Sequence, residues 1–409
     1  MTSDVVNSII QYARSLSELP FSLGDDPRII FKHEGRCYMT DKGAGFSGIT
    51  EENIHDVTDE DQSQFLAERV LMDSKALSAM ILCEPPYVEI CIESHHEIPA
   101  VLDDMAQVVG PAVHIIEPDV SKLAKALSKS TSVMIENGCL VAGGRTLFEA
   151  ATAVKLIEKS AETILKAQVI GGVKPLGRTL AMYMHRKYLN SYSKAEIALK
   201  TAEFSSGIKN ADSEQISYSE HELELREKLV EYGLRLLNAG LVQGTYGNIS
   251  VMLDRETMLC TPSGLDYESL KPEDMVKVNI RTLKYEGLHK PTSEKNMHAG
   301  IYRTYPDANA VIHTHSKYCS IFAAGEMPLQ IESADKIEKL GEIIGVSKYA
   351  LAGTGGITRH AIKAMKNSKG CILSHHGMIA RGEDLEEAFE NVALIEEAAR
   401  EYIDKRWEK

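Results

Sequence analysis

Pro306-Asp307-Ala308-Asn309-Ala310-Val311-Ile312-His313-Thr314-His315-Ser316 is the stretch of this 409-residue chain whose reading decides the rest. The run from Ala308 to His315 is short, follows a proline turn and carries β-branched residues, so a buried strand is expected. Alternate side chains of a strand share a face, which lets His313 and His315 grip a single ion. The same pattern also suits one buried, hydrogen-bonded histidine and one facing solvent. Upstream, Ser293 to Arg303 reads as a helix stopped before Pro306, with Thr292 or Ser293 as its cap and Glu294 in its first turn. Downstream, Gly370-Cys371-Ile372-Leu373 reads as a second buried strand that delivers Ser374-His375-His376-Gly377 to a turn. Neighbours on a strand face opposite ways, so only one of His375 and His376 can join the first pair, and Gly377 permits close backbone approach. Seven of the fourteen histidines lie between His289 and His376, which puts the chemistry in the second half. Three imidazoles with the carboxylate of Glu294 suit Zn²⁺ or another divalent transition metal, and do not suit Ca²⁺ or Mg²⁺.

A second constellation is shaped for an anion. Gly244-Thr245-Tyr246-Gly247-Asn248, Thr261-Pro262-Ser263-Gly264 and Thr292-Ser293 offer hydroxyls, an amide and glycine-exposed N–H groups beside a helix start, a set able to hold a phosphate monoester without lysine or arginine. Each piece alone is an ordinary turn. Before them, Glu222 to Asn238 reads as a helix with Leu225, Leu229, Tyr232 and Leu236 on one face and Gly240 at its end.

Composition and organisation bound the remaining possibilities. At 409 residues, with 44% hydrophobic and 25% charged residues, the chain is expected to fold around two cores. A net charge of −14 without a basic cluster argues against nucleic acid and anionic lipid as partners. No apolar run approaches a membrane span, and Met1-Thr2-Ser3-Asp4 lacks the features of a signal peptide, so a cytoplasmic protein with no membrane partner is expected. The seven cysteines contain no C-x-x-C pair and read as buried free thiols. Thr201 to Glu220 is polar and aperiodic, the expected linker, giving domains at 1–200 and 221–409. Residues 121–166 and 358–403 share one pattern of helix, polar turn, strand, glycine turn, strand and long helix, which points to an internal duplication. An α/β fold is expected, with a largely antiparallel central sheet between helical layers.

GTYGNIS, CTPSGLDYESL, PTSEKNMHAGIY, PDANAVIHTHS and ILSHHGMIARGEDLEEAF, in this order from about Glu222 to Ile403, resemble the class II aldolase/adducin family. The resemblance implies two tandem class II aldolase-like domains. It implies Zn²⁺ held by His313, His315, His376 and Glu294, with Glu294 also the catalytic base, and a substrate phosphate among Thr245, Asn248, Ser263, Gly264, Thr292 and Ser293. The activity it implies is that of an aldehyde-lyase: reversible C–C cleavage of a ketose 1-phosphate, a phosphorylated small sugar, to a triose phosphate such as dihydroxyacetone phosphate and an aldehyde. The same family holds pentulose-phosphate epimerases, methylthioribulose-phosphate dehydratases and non-enzymatic adducin-like binding proteins. Glu294, where the epimerases usually have Asp, favours the aldolase. A homo-oligomer is implied as well, although Met327 to Ser333 lacks the tyrosine that the aldolases lend to a neighbouring subunit as proton donor. The first half is expected to be a copy without the metal site, with Cys91-Ile92-Glu93 matching His-Thr-His and Glu136-Asn137-Gly138 matching His375-His376-Gly377. Asp25 and Asp26 are expected near the place of Asn248, and His95-His96 on solvated surface.

Overall fold

A computed structural model of the chain describes residues 3–58, 66–136, 138–192, 218–242 and 245–407. It divides into two compact units, residues 1–165 with 175–190, and residues 166–174 with 191–409. The division thus assigns residues 166–174 to the second unit. Of the stretch expected as linker, residues 201–217 lie outside the described residues. Glu220 already opens the helix Glu220–Asn238, which Ser219 caps by accepting from the backbone N–H of Glu222. All seven cysteines are free, and all but the part-buried Cys139 are buried. Among the described residues no helix is long and apolar enough to cross a membrane.

The first unit is built on β1 (Arg28–His33), β2 (Arg36–Thr40), β3 (Ile54–Asp56), β4 (Ala79–Cys83), β7 (Ile115–Ile116), β8 (Ser132–Ile135) and β9 (Leu140–Gly144), with β5 (Ile98–Pro99) and β6 (Ala112–Val113) as a separate pair. Its seven strands run in the order β3-β2-β1-β4-β9-β8-β7, antiparallel except for the β7–β8 edge.

The second unit shares six of these seven strand positions and adds another strand at one edge. β10 (Asn248–Met252), β11 (Thr257–Cys260), β12 (Val276–Asn279), β13 (Tyr285–Glu286), β14 (Ala310–Thr314), β17 (Gly370–Leu373) and β18 (Gly377–Gly382) run in the order β13-β12-β11-β10-β14-β18-β17, with β15 (Leu329–Gln330) and β16 (Ile343–Ile344) apart. All these ladders are antiparallel, and an isolated parallel bridge from Val346 to Ile372 stands where the first unit has its parallel edge. β14 is buried along its whole length because the sheet is covered on both faces. On one face Val311, Cys371 and Ile379 pack with Met297 and Ile301 of helix Lys295–Thr304 and with Ile357 and Ala361 of helix Gly355–Ala364. Helices Lys317–Gly325 and Leu385–Trp407 pack on the other face. The expected antiparallel sheet between helical layers is therefore what this unit contains.

Strand register corrects how the two halves correspond. In the first unit Arg28 pairs with Leu82 and Ala79 with Gly144; in the second Asn248 pairs with His313 and Ala310 with Gly382. Leu82-Cys83-Glu84 thus stands where the second unit has His313-Thr314-His315. Cys91-Ile92-Glu93 belongs to the helix Pro86–Glu93, an apolar run too short for its period to separate helix from strand. Met134 pairs with Leu140 as Ile372 pairs with Met378, so Gly138 takes the place of His376, one residue off the expected match; Asn137 lies outside the described residues. Arg28, in an ion pair with Asp26 at 2.7 Å, takes the place of Asn248. His95 and His96 are exposed, as expected.

A carboxylate, buried in the first unit and half-buried in the second, recurs at one position in both units. Glu158 accepts from the backbone N–H groups of Tyr87 and Val88, both at 3.0 Å, at the start of helix Pro86–Glu93. Glu396 accepts from Tyr318 and Cys319 at 2.6 and 2.9 Å, at the start of helix Lys317–Gly325, and from the Ser316 hydroxyl at 2.7 Å. Each satisfies N–H groups that the helix cannot pair itself and places negative charge at its positive end. Replacing either glutamate with alanine is expected to lower the unfolding free energy by about 2 kcal/mol, measured by urea denaturation.

Candidate metal centre

The site grows from the meshing of one helix with two strands. Because β10 and β14 pair Asn248 with His313 and Ser250 with Val311, these four side chains share a sheet face, the one beneath helix Lys295–Thr304. Glu294 is the residue that enters this helix. Neither Thr292 nor Ser293 caps it; the Thr292 hydroxyl instead accepts from the Glu294 N–H at 3.2 Å. Thr314 faces the opposite way and His315 returns to the site. His376 arrives on the turn between β17 and β18, where His375 has a left-handed φ of 58°. That turn fits because residue 377 is glycine: a Cβ there would run into the Thr314 carbonyl.

One ligand atom from each of His313, His315 and His376 lies within 4.8 Å of the others, the only such group of histidine, cysteine and carboxylate side chains among the described residues. The His313 and His376 rings stack with centroids 4.9 Å apart, and the His315 ring stands edge-on to both. Glu294 adjoins two members of this group, with Oε2 3.1 Å from His313 Nε2 and Oε1 3.0 Å from His376 Nε2. Tyr246 lies over His315 at 5.5 Å between centroids.

Protonation at this cluster follows from burial. His313 is wholly buried, and loss of water pushes its pKa far down; Glu294 opposes this, while His315 and His376 add to it. A neutral His313 has one N–H, and Nδ1 spends it on the Met378 carbonyl at 2.8 Å, because a carbonyl only accepts. Nε2 is then a bare lone pair, buried without a hydrogen-bond partner and facing the Glu294 carboxylate. Burial works against the charge on Glu294. Hydrogen bonds from His376 Nε2 and Asn248 Nδ2, both at 3.0 Å, nevertheless hold its carboxyl well below the usual range. Two lone-pair atoms so close repel unless a cation lies near both. Three imidazoles and a carboxylate on this pattern therefore fit a divalent transition metal.

The residues expected around a phosphate lie on three neighbouring segments. Ile249 N–H donates to Thr261 Oγ1 at 3.2 Å, and Pro262 forms a bridge with Pro291, so residues 245–248, 261–264 and 290–293 run side by side. Thr245, Ser263 and Gly264 are half-buried and Ser293 is exposed at this edge, whereas Asn248 and Thr292 are buried. Gly264 has the left-handed φ of 84° that its turn requires. Asn248 differs from expectation in being drawn inward to Glu294. The residues not anticipated are Tyr246, His298, Ser250, Tyr302 and Glu396. The spacing Glu294, His298, Tyr302, four residues each, was the available signal for three of the site's buried polar groups.

Residues 227–403 match the family model described as Class II Aldolase and Adducin N-terminal domain. The chain is 36% identical over 180 residues to a 5-methylthioribulose-1-phosphate/5-deoxyribulose-1-phosphate aldolase of Rhodospirillum rubrum, covering 44% of this chain and 80% of that one. It is 35% identical to a 5-deoxy-D-ribulose 1-phosphate aldolase of Bacillus thuringiensis, covering 44% and 85%. An L-fuculose phosphate aldolase of Haemophilus influenzae is 34% identical, with 44% and 82% covered. Substituting alanine for Gly377 is expected to cost about 2 kcal/mol or more by forcing the His376 turn away from β14, seen as a lowered midpoint in thermal denaturation. Through its second half, the chain belongs to the class II aldolase/adducin family.

Proposed function

We propose that the second unit is a metal-dependent aldolase that cleaves a ketose 1-phosphate reversibly to a triose phosphate and an aldehyde. The observation that carries this reading is the buried, unpartnered Nε2 of His313 facing an ionised Glu294, beside two more imidazoles. His313, His315, His376 and Glu294 would hold the metal, Zn²⁺ being the ion best matched to them. When bound, the ion supplies Lewis-acid stabilisation of the negative charge that C–C cleavage leaves beside a carbonyl. Glu294, with its two oxygens between the histidines, would hold or return the proton at the carbon where that charge develops. Thr245, Asn248, Ser263, Gly264, Thr292 and Ser293 would bind the phosphate through hydroxyls and N–H groups, which orients the sugar and fixes the bond to be cleaved. The relatives' named substrates, deoxyribulose and fuculose phosphates, support a phosphorylated small sugar.

The proposal also takes the first unit to be a duplicated, degenerate copy. Its support is the common strand order, the shared register and the equivalent carboxylates Glu158 and Glu396. At the metal positions this unit has Leu82, Glu84 and Gly138, which cannot provide three nitrogens. A homo-oligomeric cytoplasmic enzyme completes the reading.

Purified protein is expected to carry about one divalent metal per chain, lost in His313→Ala, and to release dihydroxyacetone phosphate or a comparable triose phosphate from ketose 1-phosphates. Metal without cleavage would favour epimerase or dehydratase chemistry, and absence of metal an adducin-like binding role. Glu294→Gln is expected to lower kcat by about 10²–10⁴-fold, the range for a lost general base.

A further inference from the structure

Behind Glu294 and Asn248 lies a chain of buried polar groups, His298, Ser250 and Tyr302, that the proposed chemistry does not use. Asn248 Nδ2 is 3.0 Å from Glu294 Oε2, and Asn248 Oδ1 is 2.5 Å from His298 Nε2. His298 Nδ1 is 2.7 Å from Ser250 Oγ, which is 2.7 Å from Tyr302 Oη. His298 and Ser250 are fully buried, and Asn248, Glu294 and Tyr302 nearly so. The chain exists because two periods match. Four residues of helix rise about 6 Å and two residues of strand about 6.8 Å, so Glu294, His298 and Tyr302 mesh with Asn248 and Ser250.

Donor and acceptor rules give this chain one direction. A carboxylate only accepts, so the Asn248 atom against Glu294 is the NH₂ group. The Asn248 carbonyl then faces His298, whose Nε2 must carry the hydrogen. Burial keeps this ring neutral, with its pKa pushed down to about 4, so Nδ1 is an acceptor and takes the Ser250 hydroxyl hydrogen. Ser250 oxygen in turn accepts from Tyr302 O–H. Turning the Asn248 amide over would set its carbonyl against the carboxylate and, with the His298 tautomer unchanged, its NH₂ against the His298 N–H, repulsions between buried groups.

We infer that Asn248 is a positioning residue for Glu294, its amide locked one way round by the buried chain His298–Ser250–Tyr302. This rests on the reading of Glu294 as the carboxylate of the metal site. The chain aims Asn248 N–H at Oε2 and so fixes the carboxylate plane between His313 and His376. Nδ2 has a second hydrogen that the chain does not use, so a role for Asn248 at the phosphate is compatible with it. Outer partners of this kind set the affinity of a metal site without touching the ion.

The test has two arms on the full-length protein. In metal-free protein labelled with ¹⁵N-histidine, a long-range ¹⁵N–¹H spectrum, with the His298 signals assigned by their loss in His298→Gln, is expected to show a neutral ring protonated at Nε2. A ring protonated at Nδ1 overturns the inference, and this arm needs neither metal nor activity. In the second arm Zn²⁺ affinity is measured by chelator competition. His298→Leu is expected to weaken it about tenfold or more, His298→Gln, which keeps a donor toward Asn248, to restore most of the loss, and Asn248→Ala with His298→Leu together to be no worse than Asn248→Ala alone. Additive losses, or wild-type affinity in a folded His298→Leu, overturn it. Wild-type protein that binds no Zn²⁺ would refute the metal-site reading, while the first arm still decides the chain.

Discussion

The hydrogen bond from His313 Nδ1 to the Met378 carbonyl is the constraint on which the rest of the site depends. It joins a side chain of β14 to the backbone of the neighbouring strand β18, and so it is made by the sheet itself. Once Nδ1 is committed, the ring in its neutral form has only a lone pair to offer on the other side. The fold then surrounds that lone pair with two further imidazoles and an ionised carboxylate, which is an unfavourable arrangement without a cation and a suitable one with it. Orientation by a backbone carbonyl is also how a metal-ligating histidine keeps its tautomer and its aim.

The first unit has a similar frame with different side chains on the matching edge. Six of its seven strands share order and register with six of the second unit, and its helix Pro86–Glu93 is held by Glu158 as Lys317–Gly325 is held by Glu396. Backbone hydrogen bonds and helix ends impose these requirements whatever the side chains on the functional edge. Where the second unit has His313, His315 and Asn248, the first has Leu82, Glu84 and Arg28 at the matching strand positions. Function in such a fold resides in a few positions at strand ends, not in the architecture.

Much of the second unit could be read from sequence because its signals are local. The H-x-H pair on a short apolar run, the carboxylate at a helix entrance and the glycine after a histidine pair each follow from one element's geometry. What could not be read depended on two elements at once. The chain through His298, Ser250 and Tyr302 needs the facing of helix Lys295–Thr304 against β10, and the Glu158 and Glu396 caps join residues far apart in sequence. Placing Cys91-Ile92-Glu93 opposite His-Thr-His failed because an eight-residue apolar helix and a strand look alike by composition, while register, which needs the partner strand, puts Leu82-Cys83-Glu84 there. Asn248 was legible as a polar residue at the site but not as one turned inward to Glu294.

X-ray absorption on the zinc-loaded protein tests the central claim, that three imidazoles and one carboxylate of the second unit form a single metal shell. The account predicts four light ligands, three of them imidazole nitrogens recognisable by their multiple scattering, at about 2.0–2.2 Å. A sulfur scatterer near about 2.3 Å, from one of the cysteines, or a shell of oxygens alone would contradict it.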